Sequence, residues 1–114
     1  MTRFAFILAL LFTAPWEQAE IVDVKNLGAV DLKPFDCQDI TRSSVINRVC
    51  YDSESRRMLV QRHAVYQQYC DLPEATRDAF LNAPSMGWFF KANIEGADGS
   101  APYVCRTHKV PFDQ

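Results

Sequence analysis

Glycine is scarce in this 114-residue chain, with four residues, and proline contributes only six, which excludes collagen-like and low-complexity classes. There is no excess of basic charge: twelve Lys and Arg stand against fourteen Asp and Glu, a formal charge of −2 at pH 7. Dedicated nucleic-acid binders are usually strongly basic, so this balance argues against that class while leaving room for a local patch. No Cys-x-x-Cys pair occurs, so neither a zinc site nor a thioredoxin-type redox pair is indicated. Histidine appears only as His63 and His108, outside any metal-ligand spacing or catalytic motif. No internal repeat is visible. What remains is ordinary globular composition, 48% apolar and 23% charged, at a length that holds one domain and no second.

The chain opens with a short positive start, Met1-Thr2-Arg3, and an apolar run from Phe4 to Ala14 in which Thr13 is the only polar residue. A helix of that length spans roughly 16 Å, against a hydrocarbon core of roughly 30 Å. The run is too short for a spanning helix and fits the hydrophobic region of a secretory signal peptide. A buried core helix is the competing reading, disfavoured because the run is apolar all round and is followed at once by Pro15-Trp16-Glu17. Residues 1–19 are therefore expected to be a signal peptide. The cleavage point stays open, since Pro15 should block a cut after Ala14 and Glu17 is unfavourable for a cut after Ala19. No transmembrane span is expected after its removal, and the mature protein is expected to be periplasmic or secreted.

Four cysteines, Cys37, Cys50, Cys70 and Cys105, lie in the presumed mature part. An even count in a small exported domain predicts two disulfides rather than free buried thiols or a metal site. Each bridge is worth about 2–4 kcal/mol, a large share of the stability of so small a core.

Residues 20–40 show short apolar pairs separated by acids, Gly28 and Pro34, which predicts an extended lead-in with one short edge strand. Three strands are expected next: Ser44 to Tyr51, Met58 to Arg62, and Ala64 to Cys70, with Asp52-Ser53-Glu54-Ser55 as turn material. The third alternates, with Val65, Gln67 and Tyr69 on one face and Tyr66, Gln68 and Cys70 on the other. The period then changes. Asp71 is expected to cap a helix whose first turn holds Pro73 and Glu74, with Leu72, Ala75, Ala79 and Ala83 as its apolar stripe and Phe80 beside them. Ser85 is expected to cap a second short helix through Met86 to Ile94, stopped near Gly96. The expected fold is α+β: a three-stranded antiparallel β-meander followed by two helices packed on one face, disulfide-stabilised. In such a meander Cys50 and Cys70 stand two strand spacings apart, roughly 9–10 Å, beyond the ~7 Å limit for a bridge. Each then favours an outer partner, Cys37 or Cys105. A curled sheet would restore Cys50–Cys70 with Cys37–Cys105, so the pairing stays open.

Ser43-Ser44-x-Ile46, Val49-x-Tyr51-Asp52, Tyr69 three residues before Leu72-Pro73, Leu81-x-Ala83, Ser85-x-Gly87, Phe89-Phe90 and Ile94 follow one another in an order that resembles the KTSC domain. That small domain occurs alone in many bacterial and phage proteins and at the C-terminus of some lysyl-tRNA synthetases. The resemblance covers residues 41–96, leaving 97–114 as a tail tied by Cys105. It implies a fold more than a function, because the family's biochemical role is not established. The positions that match the motif are Ser44, Tyr51, Asp52, Tyr69, Ser85, Gly87 and Ile94. Trp88 and Lys91 stand where family members often carry Arg and Asn, and Arg62-His63-Ala64 replaces the usual glycine hairpin. With Cys50 and Cys70 in place of a small and an aromatic residue, the set reads as a variant adapted to an oxidising compartment.

A catalytic nucleophile needs a base within hydrogen-bond reach and a third group to orient that base. Ser43, Ser44 and Ser85 could supply hydroxyls and His63 or His108 a base, but none lies in a recognisable motif. The expectation is no catalytic residue, no cofactor and no metal. Ser85 caps a helix and Ser44 bonds backbone beside the first strand; Tyr51 is a buried tyrosine with a bonded hydroxyl, and Asp52 forms a turn. Trp88-Phe89-Phe90 spans about 200° of a helix at 100° per residue, so the three cannot share one core. Phe89 and Phe90 are expected inside; Trp88 is expected to be buried too, with an exposed contact anchor as the alternative. Arg42, Arg48, Arg56, Arg57 and Arg62 gather in the strand region, opposed by Glu20, Asp23, Asp31, Asp36 and Asp39 in the lead-in. These read as a solvated sheet edge with a compensating arm, or more sharply as a basic face. The functional expectation is an exported, non-enzymatic interaction module that presents Trp88, Arg48, Arg56, Arg57 and Arg62 to another protein. The alternatives are nucleic-acid or anion binding through the arginine face, and a small hydrolase using Ser44 or Ser85 with His63.

Overall fold

The computed structural model describes residues 19–96 and 102–105; residues 1–18 of the expected signal peptide and most of the expected tail, His108 included, lie outside the described residues. In chain order the elements are β1 (Ile21–Val24), β2 (Gly28–Asp31), β3 (Asp36–Asp39), β4 (Ile46–Asp52), β5 (Arg57–Arg62), β6 (Val65–Tyr69), α1 (Glu74–Leu81) and α2 (Met86–Phe89), the last running on into a π-helical stretch, Phe90–Glu95. The class is α+β, as expected, but the sheet has six strands in the order β2-β1-β6-β5-β4-β3 rather than three. The expected meander is its centre, with β4, β5 and β6 antiparallel. Residues 20–40 supply the rest. β1 and β2 form a hairpin, β1 joins β6 in parallel through Val24 and Tyr66, and β3 lies antiparallel to β4.

These outer strands form because their apolar and acidic residues alternate with period two. Val22, Val24, Val30 and Cys37 face one cluster, while Asp23, Asp31 and Asp36 are exposed. Asn26 and Gly28, both at positive φ (64° and 105°), turn the chain between β1 and β2.

β2 and β3 are opposite edges of the sheet, yet only Leu32–Phe35 separates them in sequence. Five Cα steps reach at most ~18 Å, whereas the edges of a flat sheet of this size would lie ~24 Å apart. The sheet therefore curls into an open barrel. Its interior holds Val24, Leu32, Cys50, Leu59 and Tyr66, with Val22, Leu27, Val30 and Phe35 around them. The outer face of β4–β6 presents Ile46, Val49, Tyr51, Met58, Val60 and Tyr69 to Leu72, Phe80, Met86, Phe90 and Ile94 of the helical layer. The central strands are thus buried on both sides, which is why Met58-Leu59-Val60 is apolar without interruption.

The disulfides are Cys37–Cys50 and Cys70–Cys105. Cys37 and Cys50 are direct cross-strand partners inside the barrel. At the other, the Cys70 N–H donates to the Tyr103 carbonyl at 2.8 Å, so the bridge is flanked by a backbone bond. Both inner cysteines take outer partners, the arrangement that strand spacing favours.

Two details of α1 differ from expectation. Asp71 does not cap it: Pro73 occupies the cap position in extended conformation, and Asp71 is in the left-handed region at φ 56°. Ala75 and Ala79 are exposed, while Leu72, Phe80 and Ala83 are buried. One aromatic ring removes far more apolar surface from water than two methyl groups, so Phe80 sets the buried face. It stacks on the half-buried Phe89 at 5.8 Å.

Candidate functional site

The bend before β4 and the turn between α1 and α2 come together through a side-chain tie: Arg42 Nη2 donates to the Leu81 carbonyl at 2.8 Å. Within the bend, Ser43 Oγ accepts from the backbone N–H groups of Val45 and Ile46 at 3.1 and 3.0 Å. Ser85 Oγ accepts from Trp88 N at 3.2 Å and so caps α2, as its position in sequence implies. It is Ser43, not Ser44, that bonds the backbone beside β4. Ser44 is exposed and makes no side-chain hydrogen bond among the described residues. Between the two segments runs a groove of about 220 Å³ lined by Arg42, Ser43, Ser44, Val45, Pro84, Ser85, Met86 and Gly87. Trp88 follows directly and is 69% exposed, which corrects the expectation of burial. Met86, Phe90 and Ile94 take the core side of this helical stretch, and Trp88 is left on the other.

A second and larger concavity, about 500 Å³, opens at one end of the barrel between Glu20, Asp31, Leu32, Lys33, Phe35, Cys37 and Arg48. Arg48 spans it. Its Nη1 and Nη2 donate to the two carboxylate oxygens of Glu20 at 2.6 and 3.1 Å, and Nη1 also to the Tyr66 hydroxyl at 3.1 Å. Its Nε lies 3.2 Å from Asp39 Oδ1, close enough for an ion pair but not aligned as a hydrogen bond. The hydrogen bond from Arg48 holds the Glu20 carboxyl below its usual range. Arg48 thus pins the start of β1, β3 and β6 to β4, and its charge is spent within the fold.

The strand arginines do not form one face. Arg48 and Arg57 point to the barrel side, where the Arg57 guanidinium lies 5.2 Å over the Phe35 ring and burial lowers its pKa. Arg62 points to the helix side, 4.9 Å over Phe90, bonded to Gln67 and Glu95 at 3.2 and 3.4 Å. Arg56 is exposed in the β4–β5 turn at φ 61°. The alternation of side chains along a strand separates what sequence proximity groups together.

The remaining motif positions serve the fold. Tyr51 donates its hydroxyl to the Leu72 carbonyl at 2.6 Å under the Arg77 guanidinium, and burial raises its pKa. Asp52 braces the turn by accepting from Glu54 N at 3.0 Å and from the Ser55 hydroxyl at 2.8 Å. Tyr69 meets Phe90 edge-on at 5.6 Å, and burial pushes its hydroxyl up to about 12. Ile94 is fully buried. His63 sits at the exposed tip of the β5–β6 hairpin, and no described hydrogen bond joins it to Ser44 or Ser85. No cluster of three or more His, Cys, Asp or Glu among the described residues is placed to hold a metal ion, and no described helix is long and apolar enough to cross a membrane. Of the motif positions, Tyr51, Tyr69 and Ile94 share the core, whereas Ser44, Ser85 and Gly87 line the groove at the surface. Arg42 and Ser43 complete that groove; the sequence marks Arg42 only as one charge among several and Ser43 as the first residue of the Ser-Ser pair and a candidate hydroxyl.

A family model described as the KTSC domain matches residues 42–97. The crystal structure of a KTSC domain protein from Yersinia pestis is 33% identical in sequence, with a TM-score of 0.51. The match covers 54% of this chain and 87% of that one. No curated protein matches the chain. β1–β3 and Cys37 precede the matched region and Cys105 follows it, so each disulfide joins a cysteine inside that region to one outside. This chain belongs to the KTSC domain family.

Proposed function

We propose that this protein is an exported, non-enzymatic binding module whose contact surface is the Arg42–Ser44/Ser85–Gly87 groove together with Trp88. One observation carries the reading: two motif segments far apart in sequence line a single polar groove, and the residue next in sequence to its last lining residue is a tryptophan 69% exposed. A large, rigid aromatic ring beside hydrogen-bonding groups is the usual make-up of a contact anchor. Among the described residues the fold makes no use of the Ser44 hydroxyl or of a missing side chain at Gly87. The serines lack a described base, which favours recognition over turnover. The apolar run after Arg3 and the two disulfides support export, because paired cysteines persist in oxidising compartments. The partner of this reading is another protein.

The test compares three tagged forms produced in bacteria: wild type, Trp88→Ala, and Lys33→Ala at the distant barrel mouth. The reading expects the tagged protein in the periplasmic fraction, with an intact mass four hydrogens below its reduced form. It expects one set of captured proteins to be lost with Trp88→Ala and kept with Lys33→Ala. Retention of the whole set by Trp88→Ala, or reproducible turnover of a substrate by the purified protein, would refute it.

A further inference from the structure

Resting on that reading of the groove, we infer that its polar end receives an oxyanion, a carboxylate or phosphoryl group carried by the bound protein. The argument is an inventory of donors. Ser43 Oγ and Ser85 Oγ each accept backbone N–H groups, which leaves their hydroxyl protons to be donated. The exposed Ser44 hydroxyl adds a third donor. Arg42 commits Nη2 to the Leu81 carbonyl, and that bond orients a guanidinium that has further N–H groups. Three hydroxyls and one fixed cation line the groove, and none of its lining residues is acidic. A donor-rich wall without carboxylates matches an acceptor that bears negative charge.

The larger concavity at the barrel mouth shows the contrast. Its Arg48 is already bound to Glu20, and Glu20 and Asp31 are themselves part of the lining. An anion there would meet two carboxylates.

Size narrows the ligand further. A volume of about 220 Å³ is smaller than the ~300–1,000 Å³ of sites for whole drug-sized molecules, so the groove takes one functional group while its carrier extends beyond. Gly87 keeps a path open: an added Cβ would stand on the groove wall, 3.8 Å from Val45. The carrier then leaves past the exposed face of Trp88.

The test is a titration of the oxidised, isotope-labelled protein, followed by amide shifts at constant ionic strength. The probes are inorganic phosphate, acetate and neutral acetamide. Saturable shifts confined to residues 42–45 and 85–88 are expected with phosphate, acetate or both. Response to phosphate alone assigns a phosphoryl group, and response to acetate alone a carboxylate. Arg42→Gln should weaken binding about tenfold, the usual worth of a charged donor. Because Arg42 also ties the bend to Leu81, Ser44→Ala serves as the second variant, with a severalfold loss expected and no change in the folded spectrum. Binding unchanged in both variants would overturn the inference. A groove that responds to acetamide but to neither anion would overturn the oxyanion while leaving the binding groove intact. A groove silent to all three probes would overturn the inference as well, and if the Trp88→Ala form also keeps every captured partner the binding groove falls with it.

Discussion

Replacing Gly87 with alanine adds a methyl group that would stand 3.8 Å from Cβ and Cγ2 of Val45, an ordinary van der Waals contact. Gly87 is the second residue of α2, with no positive φ to protect. Alanine is favoured over glycine by about 0.8–1 kcal/mol in a helix interior and by less near an end, so a gain of about 0.5–1 kcal/mol is expected. For a domain of this size that raises the melting temperature by roughly 2–8 °C. Gly28 is the control. Its added Cβ would meet nothing within 4 Å, but its φ is +105°. Alanine there should cost about 1–2 kcal/mol for the backbone alone. Scanning calorimetry of the two oxidised variants reads both values. The reasoning fails if Gly87→Ala destabilises by more than about 1 kcal/mol or if Gly28→Ala is neutral. A second readout bears on function. Gly87→Ala should be the more stable protein and the poorer binder, because its methyl group narrows the groove; wild-type binding by that variant would remove the groove as the contact site.

Three further expectations follow from the same geometry. His63 and Ala64 close the β5–β6 hairpin at φ 49° and 71°, so Ala64→Gly should stabilise by about 0.5–1 kcal/mol in chemical denaturation, and a loss would refute the strain at that tip. The bridges close sequence separations of 13 and 35, for which chain entropy gives about 3 and about 4 kcal/mol; the paired Cys→Ser variant of Cys70–Cys105 should therefore lose more stability than that of Cys37–Cys50, and the reverse ranking would contradict it. The Glu20 carboxyl is held below its ordinary value of 4.5 by the hydrogen bond from Arg48, so its contribution is present above that pH and is lost as pH falls through the lower folded value. Glu20→Gln should therefore lose less stability than wild type on acidification below about pH 4.5, and equal slopes would refute the pairing.

The centre of the fold is legible in the sequence because its signals are local. Val65 to Tyr69 alternates, Met58-Leu59-Val60 is apolar throughout, and Ser85 caps a helix. The outer strands are harder to read, since four-residue segments such as Asp36–Asp39 have little apolar content and gain their partners only through distant pairing. The barrel itself depends on the parallel contact between β1 and β6, which no local pattern records. The face of α1 is misjudged for a similar reason: a run of alanines resembles a buried stripe until one phenylalanine claims the core. For the site, Ser44, Ser85 and Gly87 stand out as motif residues, but their convergence is tertiary. Residue type alone does not show that Arg48, Arg57 and Arg62 are each engaged within the fold, on two different sides of it.

The short strap from Leu32 to Phe35 has a consequence for behaviour at high concentration. By drawing β2 and β3 round toward one another, it leaves two free ladders of only four residues each, and Asp31, Asp36 and Asp39 stand along them. Neither offers the long, flat template on which sheets from separate molecules join edge to edge. A small chain can in this way hide apolar surface on both sides of its central strands without inviting fibrillar growth.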